Sequence, residues 1–243
     1  MTVQAPDLDD NQALDIAPGT ADLSDLPIET VAIESAGRSW QIACVFDHDA
    51  LLRASDRLGA FPFGLILWDA APVLADALAE RAERITGRRV LEIGSGAGLA
   101  GLAARFLGAD VVQTDHSAEA LALARDNARL NGIEGIRQRV VDWHDWRSGE
   151  TFDVVVGSDV LYAKESHAAV LEILDRVLKP GGFALLTDPA RPDQAAFVAM
   201  ARAAGWQVDI ARHTVDAISP FVPDDRTDVD VLELARETAQ RPA

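Results

Sequence analysis

A glycine-rich stretch in the middle of the chain contains the residue types that let a ligand approach the backbone. Residues 92–98 read Glu-Ile-Gly-Ser-Gly-Ala-Gly. Glycines permit close backbone approach, and the free N–H groups at the start of a following helix can bind a ligand. The pattern predicts ligand contacts at Gly94, Ser95, Gly96 and Gly98. A tight strand-to-helix turn that binds no ligand is the alternative.

Acidic residues near this loop narrow the class of ligand. The segment 96–101 also satisfies the dinucleotide fingerprint G-x-G-x-x-G. Glu92, however, places a carboxylate at the end of the predicted strand, where it would attract a cation and repel a pyrophosphate. Asp115 suits a ribose in either reading, or it could cap the following helix. Glu92 therefore favours a sulfonium ligand over a dinucleotide.

Two further strand ends supply polar and aromatic groups. Asp142 offers an acceptor for the exocyclic amine of an adenine, and Trp143 offers a ring to stack on it, although Trp143 could be an ordinary half-buried aromatic. Asp159 ends a Val-Val-Val-Gly-Ser run, where a carboxylate is costly to bury unless it is paired. Tyr162, the only tyrosine, could be simple packing, but its spacing from Asp159 favours a site. Arg191 is predicted to be structural or substrate-orienting.

Alternating β-branched runs and Ala/Leu-rich segments predict the elements that position these residues. The predicted strands are Arg89–Ile93, Asp110–Thr114, Ile136–Val141, Phe152–Gly157 and Phe183–Thr187. The predicted helices are Leu65–Ile85, Leu99–Leu107, Ala118–Leu130, Ser166–Leu178 and Asp193–Ala204. This alternation predicts an α/β fold with a Rossmann-like, doubly wound, mostly parallel sheet of seven strands. Trp206–His213 and Val229–Ala235 are separated by too short a loop for a crossover helix, so they predict a C-terminal antiparallel hairpin.

The chain divides into three predicted parts. Residues 1–27 are rich in Asp, Ala and Pro, contain no basic residue, and predict an acidic disordered arm. Residues 28–60 include two short strand patterns and predict a small N-terminal β-hairpin extension. Residues 61–243 form the main domain.

Composition excludes several classes of protein. The 243 residues, 49% of them hydrophobic, can bury one sizeable core. A formal charge of −17 disfavours nucleic acid and anionic membranes as partners. The single cysteine, Cys44, cannot form an internal disulfide, and the five histidines show no metal-ligand spacing. We expect no metal, no membrane span and a cytoplasmic location.

Several motifs together resemble the class I, or seven-stranded, S-adenosylmethionine-dependent methyltransferases from about residue 61 onward. The matching features are Glu92-x-Gly94-x-Gly96-x-Gly98, Asp115 after the second strand, and Leu178-Lys-Pro-Gly-Gly182. Asp142-Trp143, Gly157-Ser-Asp159-Val-Leu-Tyr162, Phe61–Trp68 and Asp188-Pro-Ala-Arg191 are similar to the branch of seven-stranded protein lysine methyltransferases, the methyltransferase family 16. Relatives in that branch often have Trp-Pro where this chain has Trp68-Asp69, which leaves the role of Trp68 less defined.

This resemblance implies an N-methyltransferase that uses S-adenosylmethionine and releases S-adenosylhomocysteine. The implied cofactor-binding residues are Trp68, Glu92, Gly94, Ser95, Gly96, Gly98, Asp115, Asp142, Trp143 and Ser158. Glu92 would bind near the methionine end, Asp115 the ribose and Asp142 the adenine. The acceptor is expected to be a protein lysine side chain, with a small-molecule or peptide amine as the alternative. A noncatalytic nucleotide-binding module and an NAD-dependent oxidoreductase are the remaining alternatives.

The acceptor chemistry assigns roles to two residues. A lysine amine with a pKa of about 10.4 must lose a proton before it can attack, which costs about 4.6 kcal/mol at pH 7. Burial and an adjacent sulfonium lower that cost, whereas a carboxylate raises it. We therefore expect Asp159 to capture and orient the amine, Tyr162 to wall the site, and the proton to leave through water.

Overall fold

The computed structural model describes residues 23–236. Over that range the strands are β1 (Glu29–Ser35), β2 (Arg38–Cys44), β3 (Arg89–Ile93), β4 (Asp110–Asp115), β5 (Arg137–Val140), β6 (Phe152–Ser158), β7 (Leu178–Asp188), β8 (Gln207–Asp216) and β9 (Arg226–Ala235). The α-helices are α1 (His48–Leu58), α2 (Ala70–Glu80), α3 (Ala82–Ile85), α4 (Leu99–Phe106), α5 (Ala118–Leu130), α6 (His167–Val177) and α7 (Gln194–Ala203). Short 3-10 turns occur at Phe63–Leu65, Trp143–Asp145 and Lys164–Ser166.

The main sheet has seven strands in the order β5-β4-β3-β6-β7-β9-β8. The five strands from β5 to β7 are parallel, whereas β9 is antiparallel to both β7 and β8. The predicted fold class and the C-terminal antiparallel hairpin are therefore confirmed. The chain runs outward from β3 to β5 on one side and then crosses to β6 on the other, which opens a crevice at the carboxyl ends of β3 and β6.

Both faces of the sheet are covered by helices, which explains the nearly continuous apolar runs of β3 and β6. Leu91 and Val155 are partners across these strands and belong to one core with residues of α6 and α7. Val90 and Val154 are also partners and pack with residues of α2 and α4 on the opposite face. The alternation of side chains between faces thus leaves the strand ends as the place for polar groups.

The N-terminal extension is a separate two-stranded sheet of β1 and β2, followed by α1. The Asn127 side chain of α5 attaches it to the main domain, because its Oδ1 accepts from Ala43 N at 2.7 Å and its Nδ2 donates to Ala43 O at 3.0 Å. Trp40 is fully buried, and its indole N–H donates to Ser35 O at 2.9 Å. Most of the predicted acidic arm lies outside the described residues, and the domain boundaries stay a prediction.

Two helix predictions need correction. The sequence analysis did not predict α1, which is bounded by a side-chain N-cap at Asp47 and a left-handed C-cap at Gly59. The helix predicted from Leu65 begins instead at Ala70, because the segment before it is a 3-10 turn followed by extended Ile66. Asp69, which stands where relatives often have proline, accepts hydrogen bonds from the backbone N–H groups of Ile218 and Ser219. This aspartate attaches the β8–β9 loop to the start of α2.

Candidate functional site

A cleft lies at the carboxyl ends of the parallel strands, with about 830 Å³ of empty space including the solvent at its mouth. Its size and its mostly apolar lining with a few convergent polar groups are typical of small-molecule sites. The residues that line it are Phe63, Gly64, Ile66, Leu67, Trp68, Ala71, Gly94, Ser95, Gly96, Ala97, Leu99, Asp115, His116, Trp143, Ser158, Asp159, Val160, Tyr162 and Arg191.

The glycine loop forms one wall of the cleft. Gly94 and Gly96 have φ angles of 60° and 50°, which residues with side chains rarely adopt. A Cβ on Gly94 would also lie 3.0 Å from the Trp143 ring and 3.0 Å from a Val160 methyl group. Between these glycines, the buried hydroxyl of Ser95 has no hydrogen-bond partner among the described residues. A ligand polar group at this loop would supply one.

Asp115 extends from the end of β4 into the same part of the cleft. Its Oδ2 accepts from Gly96 N at 3.0 Å, and its Oδ1 accepts from Ser117 N at 2.9 Å. The Ser117 hydroxyl caps α5 by accepting from Ala120 N at 3.1 Å, so the alternative role of Asp115 as that cap is wrong. The neighbouring His116, which also lines the cleft, donates a hydrogen bond to Asp115, and this bond raises the pKa of His116. Contact between this carboxylate and a ribose stays a prediction.

Glu92 does not face the cleft, which corrects the expectation that its carboxylate meets the ligand's cation. It is 1% exposed, and its two oxygens accept from Gly101 N at 3.0 Å and from Gln113 Nε2 at 2.8 Å. Gln113 Nε2 also donates to Gly98 O at 3.0 Å. Burial raises the pKa of Glu92 to about 8. Glu92 therefore supports the glycine loop from beneath, and Gly98 belongs to this support and not to the lining.

Asp142 and Trp143, which follow the third predicted strand, have different surroundings. The Trp143 ring lines the cleft against Gly94, where it could stack on a planar ligand. Asp142 is exposed and outside the lining, and its Oδ1 accepts from His144 N at 2.8 Å to begin a 3-10 turn. The structure therefore separates these two neighbours. Adenine contact by Asp142 stays a prediction.

Asp159 also lines the cleft, and its backbone is in a left-handed conformation with φ of 57°. Its backbone N–H donates to Thr187 O at 2.8 Å, which fixes it to the end of β7. Its carboxylate is occupied, because both oxygens accept hydrogen bonds from the guanidinium of Arg191. Sequence reasoning missed this pairing, since Arg191 follows a different strand.

Aromatic side chains form the rim of the cleft beside Asp159. The rings of Phe63 and Tyr162 are 6.0 Å apart between centroids, and those of Phe63 and Trp68 are 6.3 Å apart. Phe63 and Tyr162 are 49% and 47% exposed, although both line the cleft. Burial and the charges of Asp115 and Asp159 raise the pKa of Tyr162. Phe63 was quoted within a motif but not predicted as a site residue.

Residues 23–236 contain no candidate metal centre and no candidate membrane-spanning helix. No group of three His, Cys, Asp or Glu side chains in that range is arranged to hold a metal ion. None of the helices described there combines the length and apolar character needed to cross a bilayer.

Comparisons with known proteins agree with the geometry of the cleft. A family model described as lysine methyltransferase matches residues 47–202. Protein N-lysine methyltransferase METTL21A of Danio rerio is 34% identical over 120 residues, which cover 46% of this chain and 54% of that protein. EEF1A lysine methyltransferase 3 of Mus musculus is 31% identical over 136 residues, which cover 54% and 57% respectively. The chain thus spans about half the length of the curated relatives it matches.

A solved structure shows the same fold at lower identity. A 16S rRNA methyltransferase from T. thermophilus, in complex with AdoMet and guanosine, superposes with a TM-score of 0.58 at 17% identity. The alignment covers 86% of this chain and 50% of that one. At this identity the likeness concerns the fold alone.

Proposed function

Because this chain belongs to the lysine methyltransferase family, whose model matches residues 47–202, we propose that it transfers a methyl group from S-adenosylmethionine to the side-chain amine of a protein lysine. The observation that carries the proposal is a single cleft lined by two sets of residues, which we name its two ends. The first end is the glycine loop with Ser95 and Asp115, and the second is Asp159 with Tyr162.

The first end fits the cofactor. Backbone at Gly94 and Gly96 can approach a ligand closely, the unpartnered Ser95 hydroxyl can bond to a polar group, and Asp115 can accept from ribose hydroxyls. The Trp143 ring and the apolar walls suit the adenine. When bound, S-adenosylmethionine would supply an electrophilic methyl group on a sulfonium. Glu92 contributes by holding the loop and not by contact.

The second end fits the acceptor. The lysine nitrogen must reach the methyl carbon in line with the departing thioether and with water excluded. Phe63, Trp68 and Tyr162 surround the mouth with apolar ring surface that suits the alkyl stem of a lysine. Asp159 would orient the lysine nitrogen, and the proton that the amine loses would pass to solvent at the open mouth of the cleft.

A protein substrate and a reducing location are the finer parts of the proposal. The two curated relatives are named as lysine methyltransferases that act on proteins, and the exposed aromatic rim is open to a macromolecule. Cys44 is the single cysteine and is buried, which suits a reducing compartment such as the cytoplasm.

Labelled methyl transfer tests the proposal. The protein is incubated with tritiated S-adenosylmethionine and a host lysate, and the labelled proteins are hydrolysed to amino acids. We expect the label in methylated lysine. Label confined to small metabolites would instead support a small-molecule amine acceptor. Binding of S-adenosylhomocysteine without any transfer would indicate the noncatalytic alternative, and binding of NAD in its place would overturn the cofactor assignment.

A further inference from the structure

Arg191 links the ends of β6 and β7 at the acceptor end of the cleft. Its Nη2 donates to Asp159 Oδ2 at 3.1 Å, and its Nη1 donates to Asp159 Oδ1 and, at 3.1 Å, to Asp188 Oδ2. The backbone N–H of Arg191 donates to the other oxygen of Asp188 at 2.8 Å. One guanidinium therefore serves two carboxylates, which leaves the cluster with a formal charge of −1.

The burial of this cluster makes its charge balance important. The side chain of Asp188 is 0% exposed and that of Asp159 is 7% exposed, whereas that of Arg191 is 33% exposed. Burial raises the pKa of Asp188 above its ordinary value, despite the guanidinium beside it. Burial alone would lower the pKa of Arg191, but hydrogen bonding and the charge of Asp159 raise it. Arg191 thus stays cationic beside the place where an acceptor amine would enter.

The chemistry of the acceptor gives this arginine a purpose. A bare carboxylate at Asp159 would bind an ammonium ion tightly and make its proton harder to remove. A neighbouring cation opposes both effects. A guanidinium remains charged throughout the working pH range and presents a rigid fork that fixes both carboxylate oxygens.

We propose that Arg191 is a positioning residue for the methyl acceptor, which holds the Asp159 carboxylate in place and offsets its charge so that the cleft accepts a neutral amine in preference to an ammonium ion. This inference rests on the proposed function. Arg191 acts through Asp159 and takes no part in the transfer itself.

Other titratable groups face the same space and contribute to the pH dependence of binding there. Asp115 and His116 enter from the end of β4, and Tyr162 follows Asp159 after β6. The hydrogen bond that His116 donates to Asp115 raises the pKa of His116, and burial raises that of Tyr162. The charge of Arg191 lowers the pKa of Tyr162, so its removal raises that pKa further and Tyr162 stays neutral at pH 7 in either protein. A comparison of variants at pH 7 therefore reports on the guanidinium.

The experiment uses n-butylammonium chloride, which reproduces the end of a lysine side chain without requiring a known substrate. Its binding to the complex with S-adenosylhomocysteine is measured by NMR titration at pH 7. We expect Arg191→Gln to bind n-butylammonium roughly tenfold more tightly than the original protein. Arg191→Lys, which keeps the charge, should bind it within about twofold of the original. Once a substrate that the protein methylates is identified, the rate of methyl transfer should rise with pH. The midpoint of that rise should lie roughly one pH unit higher in Arg191→Gln than in the original protein.

A matched arginine elsewhere serves as the control. Arg212 on β8 also makes a two-point contact with a buried carboxylate, because its Nε and Nη2 donate to the two oxygens of Asp230 at 2.8 and 2.9 Å. It lies outside the cleft lining. Arg212→Gln should therefore leave n-butylammonium binding unchanged. An equal gain in both glutamine variants would overturn the inference.

The opposite result is equally informative. If Arg191→Gln binds n-butylammonium equally or less tightly while its thermal unfolding is unaltered, the positioning role of Arg191 is refuted. If that variant fails to fold, Asp188→Asn replaces it: the cluster then becomes neutral, and binding should weaken. Tighter or unchanged binding in Asp188→Asn would contradict the charge argument. The probe measures binding and needs no methyl transfer, so the two proposals can fail separately. If no transfer to lysine is found but Arg191→Gln binds n-butylammonium more tightly, the charge role of Arg191 stands. If transfer is found but this variant does not bind more tightly, only the charge role is refuted.

Discussion

The two ends of the parallel sheet use the same kinds of charged residues in opposite ways. At the amino end, Arg137 contacts Asp110 at 3.1 Å and Glu150 at 3.5 Å, and Arg139 contacts Glu150 at 2.6 Å. These pairs are partly exposed, and three arginines lower the pKa of Glu150 although burial alone would raise it. At the carboxyl end, Asp115 and Asp159 are buried and held by backbone and guanidinium donors.

Backbone strain follows the same division. Among residues 23–236, three non-glycine residues have positive φ: Ala36 in the β1–β2 turn, and Asp159 and Ala190 after β6 and β7. Such conformations cost about 1–3 kcal/mol each and persist where the surrounding structure enforces them. Two of the three occur at the carboxyl end of the sheet, beside the cleft. The comparison shows a compensated surface at the amino end and supports the proposed ligand site at the carboxyl end.

The largest expected effect comes from Asp159. Asp159→Asn keeps a residue that tolerates positive φ but removes the charge that orients the amine. We expect methyl transfer to fall at least about hundredfold, because misplaced reactants lose the advantage of alignment. Asp159→Ala should abolish transfer. Affinity for S-adenosylhomocysteine, measured by calorimetry, should change less than about twofold. A large loss of that affinity would show that Asp159 also belongs to the cofactor end.

The glycine loop supplies the next effect, with a control in the same chain. Gly94 and Gly132 both have positive φ, at 60° and 66°, so alanine is strained at either position. A Cβ at Gly132 has nothing within 4 Å, whereas one at Gly94 would lie 3.0 Å from both Trp143 and Val160. Gly94→Ala should therefore weaken S-adenosylhomocysteine binding by at least about thirtyfold, and Gly132→Ala should leave it unchanged. Equal losses in both variants would mean that strain alone is responsible.

Much of this division could be predicted from the sequence, because it depends on local patterns. Strand and helix alternation predicted the sheet, and the glycine spacing predicted the strand-to-helix loop that lines the cleft. Helix α1 was missed although Asp47 and Gly59 are suitable caps, since its sequence is polar and short. The orientation of Glu92 could not be predicted, because Gln113 and Gly101 reach it only in the folded chain. The contact between Arg191 and Asp159 joins residues that are 32 positions apart, so it could not be predicted for the same reason.

Glu92 gives a smaller effect that depends on pH. Its pKa is raised from 4.5 to about 8 by burial, so the folded state keeps a proton that the unfolded state loses between these values. Its contribution to stability is complete below about pH 4.5 and is lost as pH rises through about 8. Relative to Glu92→Gln, which cannot ionise, the original protein should lose about 1–2 kcal/mol of unfolding free energy between pH 6 and 8. Denaturant unfolding of both proteins at several pH values measures this loss. If the unfolding free energies of the two proteins change with pH in parallel, the prediction is refuted.

The smallest effect is expected at the amino end, and it tests the comparison from the other side. Arg137→Gln removes two ion pairs, but the arginine side chain is 40% exposed and Glu150 keeps Arg139. Screened pairs of this kind contribute little, so the free energy of unfolding should fall by less than about 1 kcal/mol, and the difference should vanish in 1 M salt. Affinity for S-adenosylhomocysteine should not change, because neither Arg137 nor its ion-pair partners Asp110 and Glu150 line the cleft. If Arg137→Gln instead weakened that affinity as Gly94→Ala does, the two ends of the sheet would be coupled, and the separation of a compensated surface from a ligand site would have to be abandoned.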